Sequence, residues 1–97
     1  MKGIDDKELD EVLQILCEEC AEIIHAYSKS RRHGFDSDNL GQLDLNNKEH
    51  LKKEIGQLIY VVAYARSLLG LSDNDLLKIG EEKKKSLQRY SNLLGVW

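Results

Sequence analysis

Apolar residues return every three or four positions along most of this chain, the spacing of helices with one buried side. From Leu9 onward, Leu9, Val12, Leu13, Leu16, Cys20, Ile23, Ile24 and Tyr27 fall on one stripe. The pattern predicts a first helix from about Asp6 to Arg32. Asp5 or Asp6 can cap it, and Glu8 stands in its first turn. Arg31, Arg32 and His33 suit the negative end of its dipole, and Gly34 supplies a stop. The segment from Gly34 to about Asn46 carries Gly, Asp, Ser and Asn without periodicity and is predicted as a loop. Asn46 and Glu49 then have capping-box spacing. They open a second helix whose stripe is Leu51, Leu58, Val61, Val62, Ala65, Leu68 and Leu69, with Gly70 as its stop. Ser72-Asp73-Asn74-Asp75 caps a third helix running to about Leu94, with Leu76, Gly80, Leu87, Tyr90 and Leu94 on its stripe. Gly95 to Trp97 is predicted as a short tail, with Trp97 a candidate oligomer contact.

Composition sharpens this picture. The chain has 97 residues and no proline, so one domain spanning residues 1–97 is expected. Three stripes this broad find too little partner surface within one short chain. The expected fold is therefore all-α, a bundle of three long helices completed by oligomerisation as a homodimer or homotetramer. A net charge of -3 with mixed signs gives no surface for a nucleic acid polymer. No apolar run approaches the roughly 20 residues of a membrane span. Two cysteines and no export signal before Ile4 lead to a cytoplasmic expectation.

Some polar residues break the apolar faces. Glu54 falls near the middle of the second stripe, where an unpaired carboxylate costs several kcal/mol. Gln57 lies one turn on, beside Tyr64, and Lys83 interrupts the third stripe. The stretch Cys17-Glu18-Glu19-Cys20-Ala21-Glu22-Ile23-Ile24-His25 admits three chemistries. As C-x-x-C its thiols sit mid-helix, away from the helix start that activates a redox cysteine, and no second pair completes a zinc site. Cys17 and Cys20 are therefore expected as small, half-buried packing residues. As E-x-x-H, Glu22 and His25 form one motif where a di-iron bundle uses two. As E-E-x-x-E, Glu19 and Glu22 are one turn apart and can reach one cation, with Glu54 a third carboxylate from a facing helix. Oxygen ligands of this kind favour Mg²⁺, with Mn²⁺ as the alternative.

Glu18-Glu19-x-x-Glu22 on one helix, then Glu54-Ile55-Gly56-Gln57 opening an apolar one, resembles the all-α NTP pyrophosphohydrolases, the MazG-like and dimeric dUTPase-like family. The segments Ser28 to Gly34 and Glu82 to Lys85, with Arg89-Tyr90, also look like its small phage-type members. The resemblance covers roughly residues 8 to 94. It implies cleavage of a nucleoside triphosphate between its α and β phosphates, giving monophosphate and pyrophosphate. It further implies Mg²⁺ held by Glu19, Glu22, Glu54 and position 57, Glu18 orienting the attacking water or acting from the outer shell, and sites near a dimer interface. The family pattern ends in aspartate where this chain has Gln57. A glutamine ligates through its carbonyl oxygen but carries no charge.

The chemistry has its own logic. Phosphoanhydride cleavage needs phosphate charge neutralised and a water positioned. The carboxylates gather the cation, and a neighbouring glutamate, Glu18 or Glu19, serves as base. Lys83 by its stripe position, and Lys29, Arg32 and Lys84 by helix-end placement or neighbourhood, are the candidates for holding phosphate oxygens. Two alternatives stay open: a nucleotide-binding relative weakened by Gln57, or a structural helical module in which Glu54 and Lys83 pair across a dimer core.

Overall fold

A computed structural model describes residues 6–38 and 45–90. Three helices follow in chain order: α1 Asp6–His33, α2 Asn47–Leu69 and α3 Asp73–Tyr90. The described chain is all-α. The expected cap at Asp5, the middle of the predicted loop, the extension of α3 to Leu94 and the Trp97 tail lie outside the described residues.

Local chemistry sets each boundary. Gly34 ends α1 with φ 92° and donates its N–H to Ser30 O at 2.8 Å, a left-handed cap that a Cβ would strain. Asn46 caps α2, its side-chain oxygen accepting from the Glu49 N–H at 2.8 Å. Gly70, φ 70°, closes α2 in the same left-handed way. At α3 the exchange is reciprocal. Ser72 Oγ accepts from the Asp75 N–H at 3.1 Å, and Asp75 accepts from the Ser72 N–H at 2.9 Å. Those two bonds satisfy donors that a helix start otherwise leaves open.

The loop between α1 and α2 folds the pair into an antiparallel hairpin. Asn47, 1% exposed, is its latch. Its side-chain amide donates to Gly34 O at 2.9 Å, and its backbone N–H donates to Ser37 O at 2.8 Å. The Lys48 N–H reaches Phe35 O at 2.8 Å. At the far end of the hairpin Tyr64 donates its hydroxyl to Glu8 at 2.6 Å.

The buried seam differs from the expected stripe. Ala26 and Ser30 of α1 and Asn47, Glu54 and Ala65 of α2 are buried, with Leu16, Glu19, Ile23, Leu58 and Val61 half-buried along the same line. Ile24 and Tyr27, expected inside, are exposed, and so are Cys17 and Cys20. The two cysteines are therefore not half-buried packing residues within one chain. The seam has turned toward Ala26 and Ser30 because small side chains let two helices approach closely. That turn brings Glu19 into it.

α3 stands apart. It packs along neither α1 nor α2, buries no residue, and its axis turns by 118° from that of α2. Only its first turn, at Leu76, joins Leu16, Val62, Ala65, Leu69 and Leu71 in a small apolar cleft. The molecule measures 51 × 36 × 16 Å, so it is little thicker than one helix with its side chains.

Candidate functional site

Helical spacing sorts the hairpin into two sides. At about 100° per residue, Glu8, Ile15 and Glu22 of α1 share a side with Lys53, Gln57, Tyr60 and Tyr64 of α2. Cys20, Ile24 and Tyr27 share the opposite side with Ile55, Ile59, Val62 and Leu69. The observed contacts agree with this division. Tyr64 meets Glu8 on the first side, and Leu16, Val62 and Leu69 share a cleft on the second.

The first side holds the candidate site. Glu19, Lys53, Gly56, Gln57, Tyr60 and Val61 line an open groove of about 510 Å³. Gly56 keeps the wall low between Lys53 and Tyr60, and nothing stands within 4 Å of where its Cβ would be. Glu19 reaches the groove from the seam. Its Oε2 is buried and has no hydrogen-bond partner among the described residues. A carboxylate oxygen in that state is a strong acceptor without a donor, and burial raises the cost of leaving it so.

Glu54 lies three residues before Gln57 on α2 and is 9% exposed. Its Oε1 stands 3.3 Å from Nε2 of His50, one turn earlier. The other imidazole nitrogen, Nδ1, is buried and without a partner among the described residues. The carboxylate that looked anomalous in the sequence thus has an imidazole neighbour one turn away. His50 was visible as a residue four positions from Glu54, but only the fold shows that both enter the seam. Lys53, which brings a positive charge to the groove, had no distinguishing sequence signal. It is an ordinary exposed lysine until α1 is placed beside it.

The remaining expected residues divide. Glu19 and Gln57 are brought together. Glu18 and Glu22 are exposed on α1, with Glu22 one turn beyond Glu19. Lys29 is half-buried and Arg32 exposed near the end of α1. Lys83 and Lys84 are exposed on α3, which packs on neither helix of the groove. Among the described residues, no three histidine, cysteine or acidic side chains are gathered as a ready-made cation site. Glu19 and Gln57 nonetheless line one groove, and each carries an oxygen of the kind a hard cation takes.

Electrostatics mark one further contact on this side. The hydrogen bond to Glu8, and then the charge of that carboxylate, hold the Tyr64 hydroxyl above its usual pKa of 10.0. That bond pins the first turn of α1 to the last third of α2, next to the groove. No family model, curated protein or solved structure matches this chain.

Proposed function

We propose that the protein is a Mg²⁺-dependent nucleoside triphosphate pyrophosphohydrolase, releasing nucleoside monophosphate and pyrophosphate, and that the groove between α1 and α2 is its site. The observation that carries this reading is Glu19, whose buried Oε2 has no partner among the described residues and which lines a groove with Gln57 and Lys53. Glu19 and the Gln57 carbonyl hold the cation, with Glu22 one turn from Glu19 and Glu54 one turn from Gln57 completing the oxygen set. The cation supplies charge neutralisation at the phosphates. Glu18 orients the attacking water. Lys53 holds phosphate oxygens from within the groove, and Lys29 and Arg32 do so from the end of α1. Lys83 and Lys84 reach a groove only if α3 is carried to one by a second copy, so the working unit is a homo-oligomer. Tyr60, 77% exposed at the groove, offers a ring on which a nucleobase can stack.

A second reading has its own support. The His50 contact gives Glu54 a partner without any metal, a partner other than the Lys83 expected for a structural helical module. Gln57 weakens the cation site in the same direction. Metal separates the two readings. The test is a panel of nucleoside triphosphates with Mg²⁺ or Mn²⁺, read as pyrophosphate release. Cation-dependent release of pyrophosphate is expected. Absence of both turnover and Mg²⁺ binding with nucleotide present favours the structural reading.

A further inference from the structure

Two thiols lie away from the groove and take no part in the chemistry proposed there. Cys17 and Cys20 are both free and both exposed. They stand three residues apart on α1, an uninterrupted helix from Asp6 to His33, so they are neighbours on one face, one turn apart. Packing does not account for them, because neither is covered within the chain.

Distance decides what such a pair can do. Residues three apart on a helix have Cβ atoms about 5–6 Å apart. A disulfide needs about 3.5–4.5 Å, so joining the two sulfurs directly would pull α1 out of helical geometry. A bridging ion asks for a longer span. Two metal–thiolate bonds of about 2.3 Å each reach up to about 4.6 Å between sulfurs, and each sulfur turns about its own Cα–Cβ bond. The helical spacing therefore suits one atom held between the thiols better than a direct bond.

Coordination number narrows the ion. The side chains one turn from either thiol on α1 are Leu13, Gln14, Leu16, Ala21, Ile23 and Ile24. Gln14 alone among these carries a ligand atom, a hard amide oxygen, and its amide nitrogen is engaged with Asp10 Oδ2 at 2.9 Å. Across the seam, the same side of α2 presents Ile55, Ile59 and Val62. Among the described residues no third histidine, cysteine or acidic side chain joins the pair. Tetrahedral zinc takes four ligands and finds two. Hard cations prefer oxygen to thiolate. A soft cation that is satisfied by two sulfurs fits what is present.

We propose that Cys17 and Cys20 form a two-thiolate clip for a soft monovalent cation of the copper(I) class. Two metal–sulfur bonds form and two S–H bonds break, with both protons passing to solvent. Nothing is oxidised or reduced: two thiols and one monovalent cation give an S–metal–S bridge of charge -1 and two protons. The apolar neighbours keep competing oxygen donors away from the sulfurs. The clip is separate from the groove, so it holds its cation whether or not the groove hydrolyses nucleotides.

The test uses the full chain, reduced and free of oxygen, titrated with copper(I) against a chromophoric copper(I) chelator. One cation per chain should bind, with two sulfur neighbours in X-ray absorption at the copper edge. Cys17→Ser and Cys20→Ser should each weaken binding by roughly 100-fold or more, the gain that a second tethered donor gives. The double variant has no cysteine left and should retain no copper(I). Both positions are exposed, so circular dichroism should show the same helix content in all four proteins. Full affinity in either single variant overturns the clip, because one thiol then suffices. So does one cation per two chains with three or four sulfur neighbours, which makes the ligand set intermolecular. Failure of the wild type to hold copper(I) against the chelator, or binding that survives in the double variant, overturns it as well.

Discussion

Glu54 shows how far a single residue can be read. Its place in an apolar stripe announced that a charge would be buried, and it is. Nothing in the linear pattern chose its partner, because i,i+4 neighbours such as His50 are common on helices and matter only once both are desolvated. Gln57 is the converse case. The sequence marked it as an uncharged residue in a position of interest, and the fold sets it on one groove with Glu19. Two substitutions follow from the proposed chemistry. Glu54→Gln should lower Mg²⁺-dependent turnover by more than the ~10–100-fold typical of losing an outer-shell partner, while leaving the helical signal in place, because glutamine keeps shape and removes charge from the seam. Gln57→Asp should tighten Mg²⁺ about tenfold by adding a carboxylate to an oxygen-ligand site, seen by titration calorimetry with nucleotide present. Unchanged affinity in Gln57→Asp would remove position 57 from the ligand set.

Among the elements, the glycine ends of α1 and α2 and the starts of α2 and α3 were legible because they are chemical. The asparagine cap of α2, the glycine stops and the Ser72–Asp75 pair all stand where the sequence put them. The rotation of α1 about its own axis was not legible. Its apolar residues span so wide an arc that several seams satisfy the pattern, and Ala26 and Ser30 decided among them by allowing close approach. Cap chemistry yields a pH prediction with a definite sign. The backbone N–H of Ser72, and then its side chain, hold the Asp75 carboxyl below its ordinary pKa of 3.8. A depressed folded value means the stabilisation is complete above the unfolded pKa and is lost as pH falls through the folded one. Amide exchange in the first turn of α3 should therefore accelerate on acidification below 3.8, and Asp75→Asn should flatten that dependence. Tyr64 has the opposite sign. Its raised pKa contributes below 10.0 and is lost as pH rises through the folded value. The first turn of α1 should loosen in strong alkali, and Tyr64→Phe should loosen it at every pH below that transition.

At the scale of the molecule, the question is what keeps so thin a chain folded. A 97-residue globule has an expected radius of gyration of about 12–13 Å, against 16.9 Å here. The buried apolar residues among those described are Ala26 and Ala65, which contribute little hydrophobic free energy. Ordering each residue costs about 1–2 kcal/mol, so a hairpin of this kind with a free arm is a poor candidate for independent stability. The proposed homo-oligomer would resolve the mismatch by coupling folding to association, because it would count the open faces of α2 and α3 as core. Coupling has a consequence that a stable monomer does not share: the thermal midpoint must rise with protein concentration. For a dimer, a tenfold increase in concentration adds about 1.4 kcal/mol per assembly, or about half of that per chain. At the ~4–8 °C per kcal/mol of domains this size, the midpoint should climb roughly 3–6 °C per decade of concentration. Circular dichroism melts at three concentrations across two decades measure this directly. A midpoint that stays fixed while the helical signal is fully cooperative would mean that the single chain is stable by itself and that its open apolar side does not contribute to folding.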